Sequence, residues 1–235
     1  MDFRDPASRF FLLVTCPRNR KEENTIQAKD LLLYAITNRK TDNPDSFLKE
    51  VEEAILGGAT MIQLREKNAS EENFLRYARL LKPLCDRYRI PLIINDKAKI
   101  AKAVDASGVH LGESDGEIRE ARKLLGPDKI IGATAKSVEY ALACQEAGAD
   151  YLGSGDIFGT GSKTGAKRMD MDTLKAICRS VSIPVVAIGG INRDNLPLLK
   201  DSGIAGVSVI GGIFGSGDIE ENARILRFEL DNWSF

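Results

Sequence analysis

From residue 31 onward the chain alternates between two kinds of segment, and it does so eight times. Short apolar runs occupy 31–36, 60–64, 91–95, 108–111, 129–134, 150–154, 184–188 and 206–210. Stretches with helical signals follow them. The first opens at Asn43-Pro44, a cap residue followed by a proline suited to a first turn. Phe47, Leu48, Val51, Ala54 and Ile55 then recur on one helical face, and Gly57-Gly58 end the pattern. Ser70 opens a long helix carrying Phe74, Leu75, Ala78, Leu81 and Leu84, and further helices are predicted over 97–104, 117–125, 137–147, 172–180, 195–201 and 219–230. The apolar runs lack period-2 alternation, which suits strands buried on both faces and hence a parallel sheet. Strict alternation with right-handed crossovers leaves an open doubly wound sheet or a closed barrel. Eight units in a chain this short favour the barrel. A dinucleotide-binding sheet would carry G-x-G-x-x-G after its first strand, where Thr37-Asn38-Arg39 stands. The expected fold is α/β, a (β/α)8 TIM barrel in a single domain over 31–235, preceded by an N-terminal extension, 1–30, without an assigned role.

Composition narrows the function classes. With 235 residues, 43% of them hydrophobic, the chain is large enough to hold a core without disulfides or a structural metal. Thirty-three Lys and Arg against 34 Asp and Glu leave a net charge of -1, without the basic excess of a nucleic-acid binder. No apolar run reaches the ~20 residues of a membrane span. Residues 9–16 resemble a lipoprotein signal, but the apolar run is short and Asp2 and Asp5 spoil a basic leader. The expectation is a cytoplasmic protein acting on small molecules, with neither nucleic acid nor membrane as partner and with the oligomeric state open, a homo-oligomer included. Four cysteines, at 16, 85, 144 and 178, form no C-x-x-C pair and read as scattered reduced thiols. His110 is the one histidine, which removes every site that needs two imidazoles.

A barrel of this kind carries its chemistry where the strands end, so the residues leaving each strand matter most. Strand 2 runs out through Gln63-Leu64-Arg65-Glu66-Lys67, strand 3 through Asn95-Asp96-Lys97, and strand 4 through His110 to Glu113, Ser114 and Asp115. Strand 5 ends at Thr134 and Lys136, and strand 6 enters a Gly-rich loop holding Asp156, Thr160, Ser162 and Lys163. Gly189-Gly190 and Gly211-Gly212 follow strands 7 and 8. Two anion sites are expected. The glycine pairs let backbone N–H groups approach a phosphate. Arg65, Lys67, Lys163 and Lys136 gather positive charge at the other side of the mouth, with Thr160 and Ser162 as hydroxyl donors. Asp96 and Asp115 among those cations suggest Mg²⁺ bridging a polyphosphate, since that ion takes one or two carboxylates plus phosphate oxygens.

Taken in order, Gln63-Leu-Arg-Glu-Lys67, Ile94-Asn-Asp96, Gly108-Val-His-Leu-Gly112 with Asp115, Gly148-Ala-Asp-Tyr-Leu-Gly153, Phe158-Gly-Thr-Gly-Ser-Lys163 and Ala187-Ile-Gly-Gly-Ile191 resemble the thiamine-phosphate synthase family over about 31–215. The resemblance implies a (β/α)8 transferase of thiamine biosynthesis. It would join hydroxymethylpyrimidine diphosphate and hydroxyethylthiazole phosphate through a pyrimidine methyl cation, releasing diphosphate, with Mg²⁺ as cofactor. By position, Asp96 and Asp115 would hold the metal. Gln63, Arg65, Lys67, Asn95, Thr134 and Lys163 would contact the diphosphate substrate, Arg65, Lys67 and Lys163 acting in catalysis. Thr160, Ser162, Gly190, Ile210 and Gly211 would lie on the thiazole phosphate side. His110 reads as an interior strand residue with a structural hydrogen bond, a direct catalytic role being the alternative. The chain departs from the family where Asp156 replaces a frequent Pro or Gly, Gly211 a common Ser, and Lys136 a frequent His. Two rival readings are a thiazole tautomerase-like barrel enzyme, in which Asp156 would serve as base, and a non-catalytic protein that binds thiamine intermediates.

Overall fold

The structure, a computed structural model, describes residues 26–67, 69–113, 117–159, 168–215 and 217–233. Eight four- or five-residue strands form: β1 (Leu33–Ile36), β2 (Met61–Leu64), β3 (Leu92–Asn95), β4 (Gly108–Leu111), β5 (Ile130–Thr134), β6 (Tyr151–Ser154), β7 (Val185–Ile188) and β8 (Gly206–Val209). All pair in parallel with their sequence neighbours, and β8 returns to β1 to close the barrel. This is the expected (β/α)8 TIM barrel. The helices are α1 (Pro44–Leu56), α2 (Glu71–Tyr88), α3 (Ala98–Ala103), α4 (Ile118–Leu125), α5 (Val138–Glu146), α6 (Met171–Ser180), α7 (Gly211–Phe214) and α8 (Ile219–Asp231).

Local chemistry sets where the helices begin. Asn43 Oδ1 accepts from the backbone N–H groups of Asp45 and Ser46 ahead of Pro44. Ser70, Ser137, Asp170 and Asp218 each accept from a backbone N–H three residues on, at α2, α5, α6 and α8. Such caps replace partners that the first turn lacks.

The strands read as continuous apolar runs because both of their faces are buried. On β2, Ile62 and Leu64 face the helices, while Met61 points into the barrel. Leu31, Tyr34, Met61, Ile93, Tyr151 and Val186 pack together inside, each at most 1% exposed, and form an apolar floor toward the N-terminal ends of the strands. Above it the interior turns polar, with Gln63, Asn95, His110 and Thr134 one step further along their strands.

Three local expectations change. The first strand begins at Leu33, not at 31, because Ala28–Leu31 forms a 3-10 turn whose Asp30 carboxylate accepts from Gln27 N–H, and Leu31 completes the floor. The helix expected at 195–201 is only a 3-10 turn, Leu196–Leu199. Asn195 is committed elsewhere, accepting from Asn192 N–H and donating to the Gly190 carbonyl, and Pro197 removes a donor. After β8 the short α7 was not anticipated. Among the described residues no helix is long and apolar enough to cross a membrane.

Candidate active site

All eight strands contribute to one cavity of about 580 Å³ at their C-terminal ends. Gln63, Arg65, Lys67, Asn95, Asp96, Thr134, Gly190, Ile210 and Gly211, all expected at the site, line it, as do His110, Lys136 and Asp156. The remaining expected positions, Asp115, Thr160, Ser162 and Lys163, lie outside the described residues.

The cations of the β2 loop are aimed by their neighbour. Glu66 points away from the cavity and accepts from Arg39 Nε at 3.0 and 3.1 Å and from Arg39 Nη2 at 2.8 Å. Its side chain is 5% exposed and that of Arg39 13%. Arg39 also donates to the Thr41 carbonyl, pairs with Asp42, and lies 4.3 Å over the Tyr77 ring, whose hydroxyl donates to the Asp42 carbonyl. Glu66 holds the Arg39 guanidinium above its ordinary range despite partial burial. On the same loop, Arg65 N–H donates to Thr37 Oγ1 at 3.1 Å. Arg65 and Lys67, on either side of the anchored glutamate, are therefore left facing the cavity. Burial lowers Arg65 from its ordinary value, and the nearby Asp96 carboxylate opposes that shift.

Asp96 sits in the left-handed region at φ 63°, its N–H bonded to the His110 carbonyl at 2.8 Å. Asn95 Nδ2 donates to its carboxylate at 2.5 Å. Hard oxygen donors at a cationic mouth suit Mg²⁺, which uses few protein ligands when phosphate supplies the rest. Among the described residues no three His, Cys, Asp or Glu side chains group as a metal site. Across the mouth, Lys136 Nζ lies 3.3 Å from the Glu113 carboxylate.

The opposite rim is glycine. Gly189 and Gly190 have φ of 109° and 63°. A Cβ on Gly190 would stand 2.1 Å from the Gly159 carbonyl oxygen, and one on Gly189 1.9 Å from Asp156 Oδ1. Asp156 is 7% exposed and its Oδ1 accepts from Gly159 N–H at 3.0 Å, so this departure from the family pattern braces the β6 loop, which Phe158 N–H ties to the rim by donating to the Gly189 carbonyl at 3.0 Å. Gly211 opens α7 outside the left-handed region, and a Cβ there would meet nothing within 4 Å.

Sequence reasoning missed Tyr34 and Tyr151. Both lie within apolar runs, and only the inward register of β1 and β6 marks them. His110 is an interior residue bonded through both ring nitrogens, as read, and it also lines the cavity.

With this geometry in place, the likenesses to known proteins are specific. A family model described as thiamine monophosphate synthase matches residues 33–213, the span from β1 into α7. Thiamine-phosphate synthase 2 of Streptococcus pneumoniae (strain TIGR4) is 45% identical over 202 residues, covering 86% of this chain and 96% of that protein. The thiamine-phosphate synthase of Ruminiclostridium cellulolyticum is 47% identical over 197 residues, covering 84% and 94%. A solved structure, thiamine phosphate pyrophosphorylase from Pyrococcus furiosus, superposes with a TM-score of 0.79 at 38% identity and covers 87% of this chain and 97% of its own.

Proposed function

Since this chain belongs to the thiamine monophosphate synthase family and is a transferase, we propose that it joins hydroxymethylpyrimidine diphosphate to hydroxyethylthiazole phosphate, giving thiamine phosphate and diphosphate. In this reaction the C–O bond to the diphosphate breaks and its electron pair leaves with the oxygen. The thiazole nitrogen then donates its lone pair to the resulting pyrimidine methyl cation. An aromatic nitrogen needs no base to become nucleophilic, which suits a cavity with one imidazole.

The observation that carries the reading is the convergence of Arg65, Lys67, Asn95 and Asp96 on one side of a cavity whose other side is the Gly189-Gly190 and Ile210-Gly211 rim. Negative charge grows on the departing diphosphate, so Arg65, Lys67 and Lys163 act most strongly in the transition state. Mg²⁺, when bound, would supply further neutralisation of that charge, with Asp96 and Asp115 as its protein ligands. Gln63, Asn95 and Thr134 would orient the diphosphate substrate. Backbone N–H groups at Gly190 and Ile210-Gly211, with the Thr160 and Ser162 hydroxyls, would hold the thiazole phosphate.

One assay tests this. Both substrates are incubated with the full chain, in Mg²⁺ and in EDTA, and thiamine phosphate is scored. Product should require both substrates and the metal. Absence of product under all conditions would overturn the reaction, and equal rates in EDTA would overturn the metal.

A further inference from the structure

Five polar side chains from five different strands form one hydrogen-bonded line across the barrel. Gln63 Nε2 donates to the Tyr34 hydroxyl at 2.6 Å. The Tyr34 and Tyr151 hydroxyls are 2.9 Å apart. Tyr151 reaches His110 Nδ1 at 3.0 Å, and His110 Nε2 reaches Thr134 Oγ1 at 3.1 Å. Tyr34 and Tyr151 are at most 1% exposed, so their hydroxyls have to be satisfied inside the line, and Gln63, 2% exposed, gives it one amide N–H. The surrounding chain is shaped to admit it. A Cβ on Gly132 would stand 2.4 Å from the Tyr151 hydroxyl oxygen, and one on Gly153 3.2 Å from His110 Cε1.

Each hydroxyl owns a single proton, and this gives the line a sense. Tyr34 receives the Gln63 amide proton, so its own O–H goes to Tyr151. The Tyr151 O–H then goes to His110 Nδ1, which must carry no proton to accept it. Nε2 bears the ring proton and donates to Thr134 Oγ1, leaving the Thr134 O–H for the cavity that Thr134 lines. We propose that Tyr151, oriented by Tyr34 and Gln63, is a positioning residue that holds His110 as its Nε2–H tautomer and so presents the Thr134 hydroxyl as a donor to an anionic oxygen in the mouth. Assigning that oxygen to the departing diphosphate rests on the reaction proposed above, while the tautomer does not. Burial raises both phenols above their ordinary range, so their protons stay in the line. Turning the Gln63 amide over would reverse every bond and point the Thr134 proton back at the ring.

His110 is the one histidine in the sequence, so nitrogen NMR of the full chain labelled in histidine reads a single imidazole. The expected spectrum has an unprotonated Nδ1 and a protonated Nε2. A ring protonated at Nδ1 in the unsubstituted protein overturns the proposal, and this measurement needs no variant to fold. Tyr151→Phe should release the tautomer preference and lower kcat on the order of tenfold, with a much smaller change in the KM for the diphosphate substrate. Tyr34→Phe removes an equally buried hydroxyl but leaves the Tyr151–His110 bond, so both effects should be smaller. Thr134→Ser should keep most of kcat and Thr134→Val should lose it. A folded Tyr151→Phe protein with unchanged spectrum and kcat, or a fully active Thr134→Val, overturns the positioning role. If no thiamine phosphate forms at all, the reaction fails while the ring spectrum still decides the tautomer.

Discussion

Gly190 and Gly211 occupy the same rim and are constrained in opposite ways. At Gly190 the left-handed backbone and the Gly159 carbonyl 2.1 Å from a would-be Cβ leave no room for a side chain. Gly190→Ala should lower stability by roughly 2–3 kcal/mol and the melting temperature by about 5–10 °C, with thiazole phosphate binding lost. Calorimetry and titration of the one variant check this, and an unchanged melting temperature would mean that the β6 loop yields. Gly211, by contrast, has open space and an ordinary backbone. Strain therefore gives no reason for glycine there. Gly211→Ser should leave the melting temperature level or slightly raised and, on the proposed reaction, tighten thiazole phosphate by roughly 0.5–1.5 kcal/mol. The KM for the pyrimidine diphosphate should stay as it was, since the two anions meet different loops. Weaker thiazole phosphate binding at an unchanged melting temperature would move that phosphate away from α7.

Among the elements, the loops after β1 and β2 act as a unit. Arg39 joins Glu66 across 27 positions of sequence, and Lys40 donates to the Phe214 and Gly215 carbonyls at 2.6 and 3.1 Å, tying the end of α7 to the same loop. Glu66→Gln would leave the mostly buried Arg39 with a neutral partner there and only the exposed Asp42 carboxylate as counter-charge. A stability loss of about 2 kcal/mol is expected, seen as a fall in melting temperature of roughly 4–8 °C. Because Arg65 and Lys67 flank that anchor, kcat/KM for the diphosphate substrate should fall more than that for the thiazole phosphate. Equal effects on both substrates would make the ion pair a purely structural tie. These ties also explain what could be read beforehand. Strands were legible because burial on both faces leaves unbroken apolar runs, and the cavity cations because they follow strand ends. The helix α7 was not legible, since Gly-Gly-Ile-Phe has little helical tendency and part of its support is Lys40, far away in sequence. Tyr34 and Tyr151 are 117 positions apart, and nothing local shows that barrel closure brings their hydroxyls together.

Across the described residues, closure makes the first and last units of the barrel depend on each other. β1 pairs with both β2 and β8, and α8 packs over the end of α1 so closely that a Cβ on Gly57 would stand 2.3 Å from the Glu220 carbonyl, while Arg227 donates to the Gly58 carbonyl. Trp233, the one tryptophan, donates to Glu229 on α8 and reports on that last helix. Urea unfolding followed by tryptophan fluorescence and by far-ultraviolet circular dichroism should give coincident transitions. A fluorescence change at lower urea would show α8 leaving as a unit of its own. The apolar floor beneath the polar layer has one further consequence. Leu31, Met61, Ile93 and Val186 seal the far end, so the chamber is a cul-de-sac with its entrance also its exit. Whatever settles deepest has to arrive first and depart last. For the proposed reaction, diphosphate and thiamine phosphate would both have to leave through the mouth by which their precursors entered.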